Sequence, residues 1–470
     1  MMCCCLACSS QDSKVTDESD VAFQIDVRQI EQEASAGTLT VRVKSAVSCQ
    51  VKVENAWIRK DYVARDGQEV YTFSVDANWG RQRTGNIIFE HGAEADTVTV
   101  VQKACQPLAP DESDMPADAR QIAADIVAGW NLGNTLEAPG GETAWGNPVV
   151  AQSQIDLVKQ LGFNAVRIPC NWSEYLIDEE NLVIDPAWLA RVKEVVDYVR
   201  TAGMYAVLNI HWDGGWIKTD CTKAEEEGIN RKQDLLWTQI ANYFRDYDGH
   251  LLFAGCNEPV AENETQMAIL KRYEQTFIDA VRDTGGRNYY RTLVVQGPNT
   301  DIEKTEQLFG NMPTDVVPDR LMVEVHYYTP WNFCGLVEDA DWGKAFYFWG
   351  QGHHVEGSDR NATWGEEDAL VDFFGRMKAL FADKGIPVVL GEYGAIRRFD
   401  LDESILDAHL QSRGYFNECV TREAKKHGMV PFYWDDGGYF QAIDRKNNAV
   451  ADWYLINGII KGAREGVYPF

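Results

Sequence analysis

Leu251-Leu252-Phe253-Ala254-Gly255-Cys256-Asn257-Glu258-Pro259 is a short apolar run that stops in an amide, a carboxylate and a proline. A run this short, closed by glycine, reads as a strand buried on both faces, as in a parallel sheet. Similar runs recur at 126–130, 165–168, 205–210, 292–296, 321–325, 388–390 and 430–433. Between them lie helical segments with start and stop signals. Asn147-Pro148 is expected to open one, with Ile155, Val158 and Leu161 at helical spacing. Asp185-Pro186 opens another, with Leu189, Val192, Val196 and Val199, closed by Gly203. Eight strand–helix units in about 350 residues predict an α/β fold, a (β/α)8 TIM barrel. A doubly wound sheet fits less well, because no glycine-rich phosphate loop follows an early strand. Barrels of this kind carry their sites at the carboxyl ends of the strands.

The residues at those ends are polar and specific. Strand one leads into Trp130-Asn131-Leu132-Gly133-Asn134, and strand two gives Val166-Arg167-Ile168-Pro169. Strand three ends in Asn209-Ile210-His211-Trp212-Asp213 and strand four in Asn257-Glu258-Pro259. Strand six gives Glu324-Val325-His326-Tyr327-Tyr328-Thr329-Pro330, strand seven Gly391-Glu392-Tyr393-Gly394, and strand eight Tyr433-Trp434-Asp435-Asp436. Any one of these tripeptides occurs by chance in many proteins; the ordered set does not.

Taken together, residues 118–470 closely resemble glycoside hydrolase family 5, whose barrels carry catalytic glutamates on strands four and seven. The Trp130–Asn134 motif and the stretch 326–333 look most like its subfamily 4. The resemblance implies Glu258 as acid/base and Glu392 as nucleophile of a retaining reaction. Such a reaction needs one carboxylic acid to protonate the departing oxygen and a second carboxylate to attack the anomeric carbon, about 5–5.5 Å away. Glu258 should then hold a proton, and Glu392 should stay ionised beside a cation and a donor. Arg167 matches that cation and Tyr328 that donor. Asn257 corresponds to the residue that binds the sugar 2-hydroxyl, His211 and His326 complete the ring of hydrogen bonds, and Trp434 is the stacking floor. Asn134 and Trp331 are expected to contact substrate as well. Trp212 departs from the pattern, standing where many subfamily members have a second histidine.

The implied activity is an endo-β-1,4-glucanase on xyloglucan, mixed-linkage glucan or cellulose derivatives, with no cofactor. A xylanase or mannanase on the same machinery is the alternative, since the motifs fix the reaction and not the sugar. A non-catalytic glycan-binding barrel is the other, and the presence of both glutamates with their supporting residues argues against it. Trp331, Phe333, Trp342, Trp349 and Trp364 follow strand six; about half are expected to line a cleft and half to pack the loop. His353-His354 reads as a solvated loop.

Upstream, residues 21–105 read as all-β, with alternating runs at 39–43, 50–53, 71–75, 87–89 and 97–101 separated by glycines. They predict a small immunoglobulin-like sandwich. Trp57, Tyr71, Phe73, Asn78, Arg83, Gly85 and the run 98–102 resemble the BACON domain. Residues 106–117, rich in Pro, Asp and Ser, read as a linker. At the start, Leu6-Ala7-Cys8 before Ser9 and Ser10 resembles the end of a bacterial lipoprotein signal, with Cys8 as the lipidated residue and the acidic stretch to Asp20 as a tether. That predicts export to the cell surface or outer membrane of a Gram-negative bacterium, with the periplasm or secretion as alternatives.

Composition agrees. A net charge of −28 opposes binding of nucleic acid, whose phosphates call for clustered Lys and Arg. A neutral polymer fits better, and 15 Trp with 19 Tyr supply flat rings for sugar faces. The eleven Cys show no zinc-like spacing. Neither a metal site nor a disulfide framework is expected, Cys170 and Cys256 being read as buried thiols, and a monomer is anticipated.

Overall fold

Eight short parallel strands close on themselves in the computed structural model, which describes residues 23–45, 48–65, 68–211 and 221–470. They are β1 (Gly129–Asn131), β2 (Ala165–Ile168), β3 (Tyr205–Asn209), β4 (Leu251–Ala254), β5 (Leu293–Gln296), β6 (Leu321–Tyr327), β7 (Val388–Tyr393) and β8 (Met429–Tyr433), paired in sequence with β8 returning to β1. Every strand is buried almost throughout, which explains why they read as continuous apolar runs. Around them the helices bury Ile155, Val192, Val196, Trp237, Phe277, Phe374 and Phe416 against the barrel.

Two expectations about element bounds are corrected. The helix read from Asn147-Pro148 starts later, at Gln152–Gln160. Asn147 instead spends its side-chain amide on the carbonyls of Asn134 (2.9 Å) and Asp436 (3.0 Å), tying the loop after β1 to the loop after β8. Residues 106–117 lie along the barrel, where Leu108 N–H donates to Thr284 O at 3.1 Å, Asp111 N–H to Gly286 O at 3.0 Å, and Met115 is buried. The strands β6 and β7 also run further than their apolar cores, taking in His326 and Glu392. The Asp185-Pro186 start is as read: Asp185 accepts from Ala187 N–H and Pro186 opens the helix Pro186–Thr201.

The extension of β6 and β7 contains a bulge. Val325 pairs with Leu390, yet His326 pairs with Glu392, so Gly391 is an extra residue on β7. Bulges re-aim side chains next to active sites, and this one sets His326 beside Glu392.

The amino-terminal unit is a pair of four-stranded sheets. One has the order Gln24–Ile25, Gly37–Lys44, Glu69–Val75, Ile58–Arg65; the other has Gln29–Gln32, Glu94–Gln102, Arg83–His91, Gln50–Val53. Alternating inward residues, among them Val41, Phe73, Ile87, Phe89, Val98 and Val100, fill the space between them with Trp57, which lies under the Arg83 guanidinium at 4.3 Å. Strand Ile58–Arg65 escaped the reading of the sequence because its charged residues obscure the period. The two compact units part around Asn78 and Ala104, with Trp79–Arg81 and everything from Cys105 onward in the second.

Candidate active site

Arg167 leaves β2 into the barrel and is fully shut from solvent. Its Nη1 donates to Glu392 Oε1 at 3.0 Å and to Asn131 Oδ1 at 3.0 Å. Its Nη2 donates to Asn257 Oδ1 at 2.8 Å and lies 2.9 Å from Glu324 Oε1. Burial works against the charge on this guanidinium, but Glu324, Glu392 and Glu258 outweigh it and hold Arg167 protonated. The bond to Asn257 turns that side chain so its NH2 points away from the cation.

Glu392, at the end of β7, accepts a second bond on Oε2 from the Tyr328 hydroxyl at 3.1 Å. Burial first, with Glu392 and Glu258 adding, pushes the Tyr328 phenol far up, so it remains a donor. His326 places Nδ1 2.9 Å from Glu258 Oε1 and 3.6 Å from Glu392 Oε2, and Nε2 3.3 Å from Glu324 Oε1. Burial lowers its affinity for a proton, but Glu392, Glu258 and Glu324 reverse this and raise it to about 9. An imidazolium is the form in which both ring nitrogens donate.

Arg167 and Tyr328 contact Glu392 as expected, but they are not its only charged or polar neighbours. Burial raises its carboxyl above the ordinary range, and Glu258 and Glu324 add to the rise, while His326 and Arg167 oppose it. The group titrates as part of a cluster of three carboxyls and two cations. Glu258 is the open member, with a side chain 37% exposed.

His211 brings Nε2 to 4.0 Å from Glu392 Oε1, while Asn209 donates its side-chain amide to His211 Nδ1 at 3.2 Å. That leaves Nε2 as the protonated nitrogen of a neutral ring. The imidazole lies parallel to Trp434, centroids 5.8 Å apart and 10° from coplanar. Gly133 makes room for the Trp434 ring, since a Cβ there would fall 2.9 Å from it. Behind it, buried Asp435 accepts from Trp130 Nε1–H and Ala442 N–H, both at 3.0 Å, and pairs with Arg445.

Clefts lie on both sides. One of about 590 Å³ sits over the loops after β1 and β8, lined by Asn134, Trp145, Asn147, Asp436, Tyr439 and Asn447 among others. One of about 230 Å³ lies over the loops after β4, β5 and β6, with Glu258, Asn299, Glu303, Tyr328 and Phe373 in its wall. These loop groups face each other across the barrel, and Glu258 belongs to the wall of the smaller cleft. Trp331 is half exposed and meets Tyr328 edge-on at 6.2 Å. Trp342 and Trp364 are also exposed, whereas Phe333 and Trp349 are buried. His354 is bonded to Glu366 at 2.7 Å and His353 stacks on Tyr415, partners that local spacing did not reveal. Trp212 and Cys8 lie outside the described residues.

The structure thus gathers Glu258, Glu392, Arg167, His326, Tyr328, Asn257, His211 and Trp434. The sequence reading assigned no role to Asn131, Gln296 or Glu324. Glu324 had a visible signal: it is two residues from His326 on one strand, hence on the same face.

Ligand atoms of Glu258, His326 and Glu392 all lie within 4.8 Å of one another. Three such groups are able to hold a cation, but that ion would fill the gap between the carboxyls. The same distance puts an oxygen of Glu258 within 4.8 Å of one of Glu392, which suits the ~5–5.5 Å carboxyl separation of retaining glycosidases and not the ~6.5–9.5 Å of inverting ones.

Comparison with known proteins agrees. Residues 131–439 match the cellulase family, glycosyl hydrolase family 5. The chain belongs to that family. It is a retaining glycoside hydrolase by membership and by geometry. A xyloglucan-specific endo-beta-1,4-glucanase of Bacteroides ovatus, BoGH5A, is 31% identical over 97% of this chain and 94% of its own. The solved Bacteroides ovatus GH5 xyloglucanase in complex with a XXXG heptasaccharide superposes with a TM-score of 0.72, at 30% identity, over 94% of this chain and 100% of that one. XEG5B, a GH5 xyloglucan-specific beta-1,4-glucanase from a ruminal metagenomic library, is 42% identical over 75% of this chain and 98% of its own, with a TM-score of 0.70.

Proposed function

We propose that this glycoside hydrolase is a subfamily 4 endo-β-1,4-glucanase that cuts plant cell-wall glucans, xyloglucan foremost, with Glu392 as nucleophile and Glu258 as acid/base. The observation that carries the roles is the approach of their oxygens to within 4.8 Å beneath an open cleft. The carboxylate of Glu392 attacks the anomeric carbon while Glu258 gives its proton to the departing glycosidic oxygen. A covalent glycosyl-enzyme forms and the leaving chain departs as an alcohol. Glu258, now ionised, takes a proton from water, which attacks the same carbon and releases Glu392. Two cations, Arg167 and His326, face three carboxyls, so one carboxyl proton makes the cluster neutral. Glu258 is the carboxyl that reaches the cleft, and the acid role assigns that proton to it. Tyr328 and Arg167 hold the Glu392 oxygens, Asn257 offers its amide to the 2-hydroxyl, and Trp434 with His211 forms the floor. Asn134 and Trp331 flank the chain further out. No cofactor enters these steps.

Similarity to two xyloglucan-specific enzymes and the volume of the cleft over β1 and β8 support a branched glucan as substrate. The test is reducing-end release from xyloglucan, mixed-linkage glucan, carboxymethylcellulose, xylan and mannan, with Glu392→Ala alongside. Release from the glucans, absent in the variant, is expected; release only from xylan or mannan overturns the substrate, and none at all overturns the enzyme.

The same reading makes the amino-terminal unit a BACON-like spacer and Cys8 the lipidated residue of an exported, monomeric outer-membrane protein. The two four-stranded sheets of the amino-terminal unit and the Leu6-Ala7-Cys8-Ser9-Ser10 start support it. Mass spectrometry of protein recovered from membranes tests it: an acylated Cys8 is expected, and an unmodified one overturns the anchor.

A further inference from the structure

Beneath the catalytic pair lies an acid that the two-carboxylate reaction does not itself require. Glu324, on β6, has no solvent exposure. Its Oε1 is shared by Arg167 Nη2 at 2.9 Å and His326 Nε2 at 3.3 Å, and its Oε2 accepts from Gln296 Nε2 at 2.7 Å. Arg167 then bonds Glu392, and His326 bonds Glu258. We propose that Glu324 is the positioning residue of the retaining reaction, one buried carboxylate that sets Arg167 against the nucleophile and His326 against the acid/base.

The backbone is shaped around this group. A Cβ on Gly391 would fall 1.9 Å from Glu324 Oε1 and 2.6 Å from its carboxyl carbon. Gly391 does not have a positive φ, so glycine stands there for space and not for backbone conformation. It is also the extra residue of the bulge that pairs His326 with Glu392. The bulge and the carboxylate therefore occupy each other's room. A structural role alone is a poor account, because burying a charge costs more than filling the space with an apolar side chain.

Three donors converge on Glu324: a guanidinium, an imidazolium and the Gln296 amide. Burial opposes its ionisation, but Arg167, His326 and Gln296 overcome this and keep it charged. The other groups facing His326 and Glu324 are Glu258 beyond β4, Glu392 on β7 with Tyr328 and His211 around it, and Glu274, which reaches Gln296 N–H from the helix Glu264–Asp283. Glu324→Gln is isosteric, yet it turns an NH2 towards a donor whichever way the amide lies. It also removes a negative charge that strengthens proton binding at both His326 and Glu392.

The inference rests on the proposed roles of Glu258 and Glu392, and its test separates the two. Wild-type protein that hydrolyses glucan, with an inactive Glu392→Ala, establishes those roles first. Glu324→Gln is then expected to lose about 10- to 100-fold in kcat, the scale of one charge-assisted hydrogen bond, with KM changed less. Both limbs of its kcat/KM profile should move to lower pH. The ¹⁵N resonances of the His326 ring, assigned by difference from His326→Asn, should titrate at lower pH, a readout that needs no turnover. Should Glu324→Gln fail to fold by circular dichroism, Glu324→Asp retains the charge one methylene further back. It should lose kcat while keeping pH limbs closer to the wild type. Unmoved pH limbs and an unmoved His326 titration in Glu324→Gln, or an unchanged kcat in Glu324→Asp, overturn the proposal.

Discussion

Arg167 Nη1 and Glu392 Oε1 stand 3.0 Å apart, joining β2 to β7 across the barrel interior, with neither side chain appreciably open to water. In the proposed mechanism this held carboxylate is the nucleophile, and its removal leaves a cation behind. Glu392→Ala is expected to lower kcat by about 10⁴-fold or more, as loss of a nucleophile does. Added azide should restore turnover by entering the vacated space and giving an α-glycosyl azide. The product's anomeric configuration by NMR checks this; a β-azide would contradict the assignment.

Glu258 lines the smaller cleft, and in the proposed mechanism the leaving chain departs beside it. Its replacement should hurt most where the leaving group most needs a proton. Glu258→Ala is expected to lose about 10²–10⁴-fold on glucan, the usual scale of general acid catalysis. A dinitrophenyl cellobioside, whose phenolate leaves unaided, should still show rapid glycosylation as a burst. Equal losses in glycosylation for both substrates would remove Glu258 from the acid role.

His326 lowers the proton affinity of Glu392. Taking that cation away in His326→Asn should delay ionisation of the nucleophile and move the acid limb of kcat/KM to higher pH. This is opposite in sign to the shift expected for Glu324→Gln. Stability carries a second signature. His326 titrates at about 9 in the fold against 6.5 unfolded, so its contribution is complete below 6.5 and lost as pH rises through 9. The drop in Tm between those values should therefore be shallower in His326→Asn than in the wild type.

Glu274 is buried under β4 and β5, where its Oε1 accepts from Gln296 N–H at 3.0 Å and its Oε2 has no hydrogen-bond partner. Burial pushes its carboxyl up from 4.5 to about 8. The folded protein keeps a proton that the unfolded chain releases, so this group's contribution is present below 4.5 and fades as pH rises through 8. Glu274→Gln carries no such cost. Its Tm relative to the wild type should climb from pH 5 to pH 8 in calorimetry; parallel curves would show that Glu274 is not the buried acid described.

Much of this protein is written locally. Apolar runs of three to six residues give the barrel strands, Asp185-Pro186 begins its helix where expected, and Glu258 and Glu392 are legible because each closely follows the run that positions it. Those signals depend on neighbours a few residues away, and one sequence suffices for them. Asn147 looked like a helix start by the same logic, but its amide was taken by the carbonyls of Asn134 and Asp436, the latter nearly 300 residues away.

What tertiary structure alone decided is the company these residues keep. No local pattern tells Trp349, buried behind Ser412 and Phe416, from Trp342 on the surface. None announces that Gly391 is an inserted residue whose missing side chain is filled by Glu324. Distances between strands depend on register summed around a closed barrel, and a one-residue bulge between β6 and β7 changes which side chains meet. The sequence therefore named the two glutamates, while the closed barrel determined that they share one buried charge network.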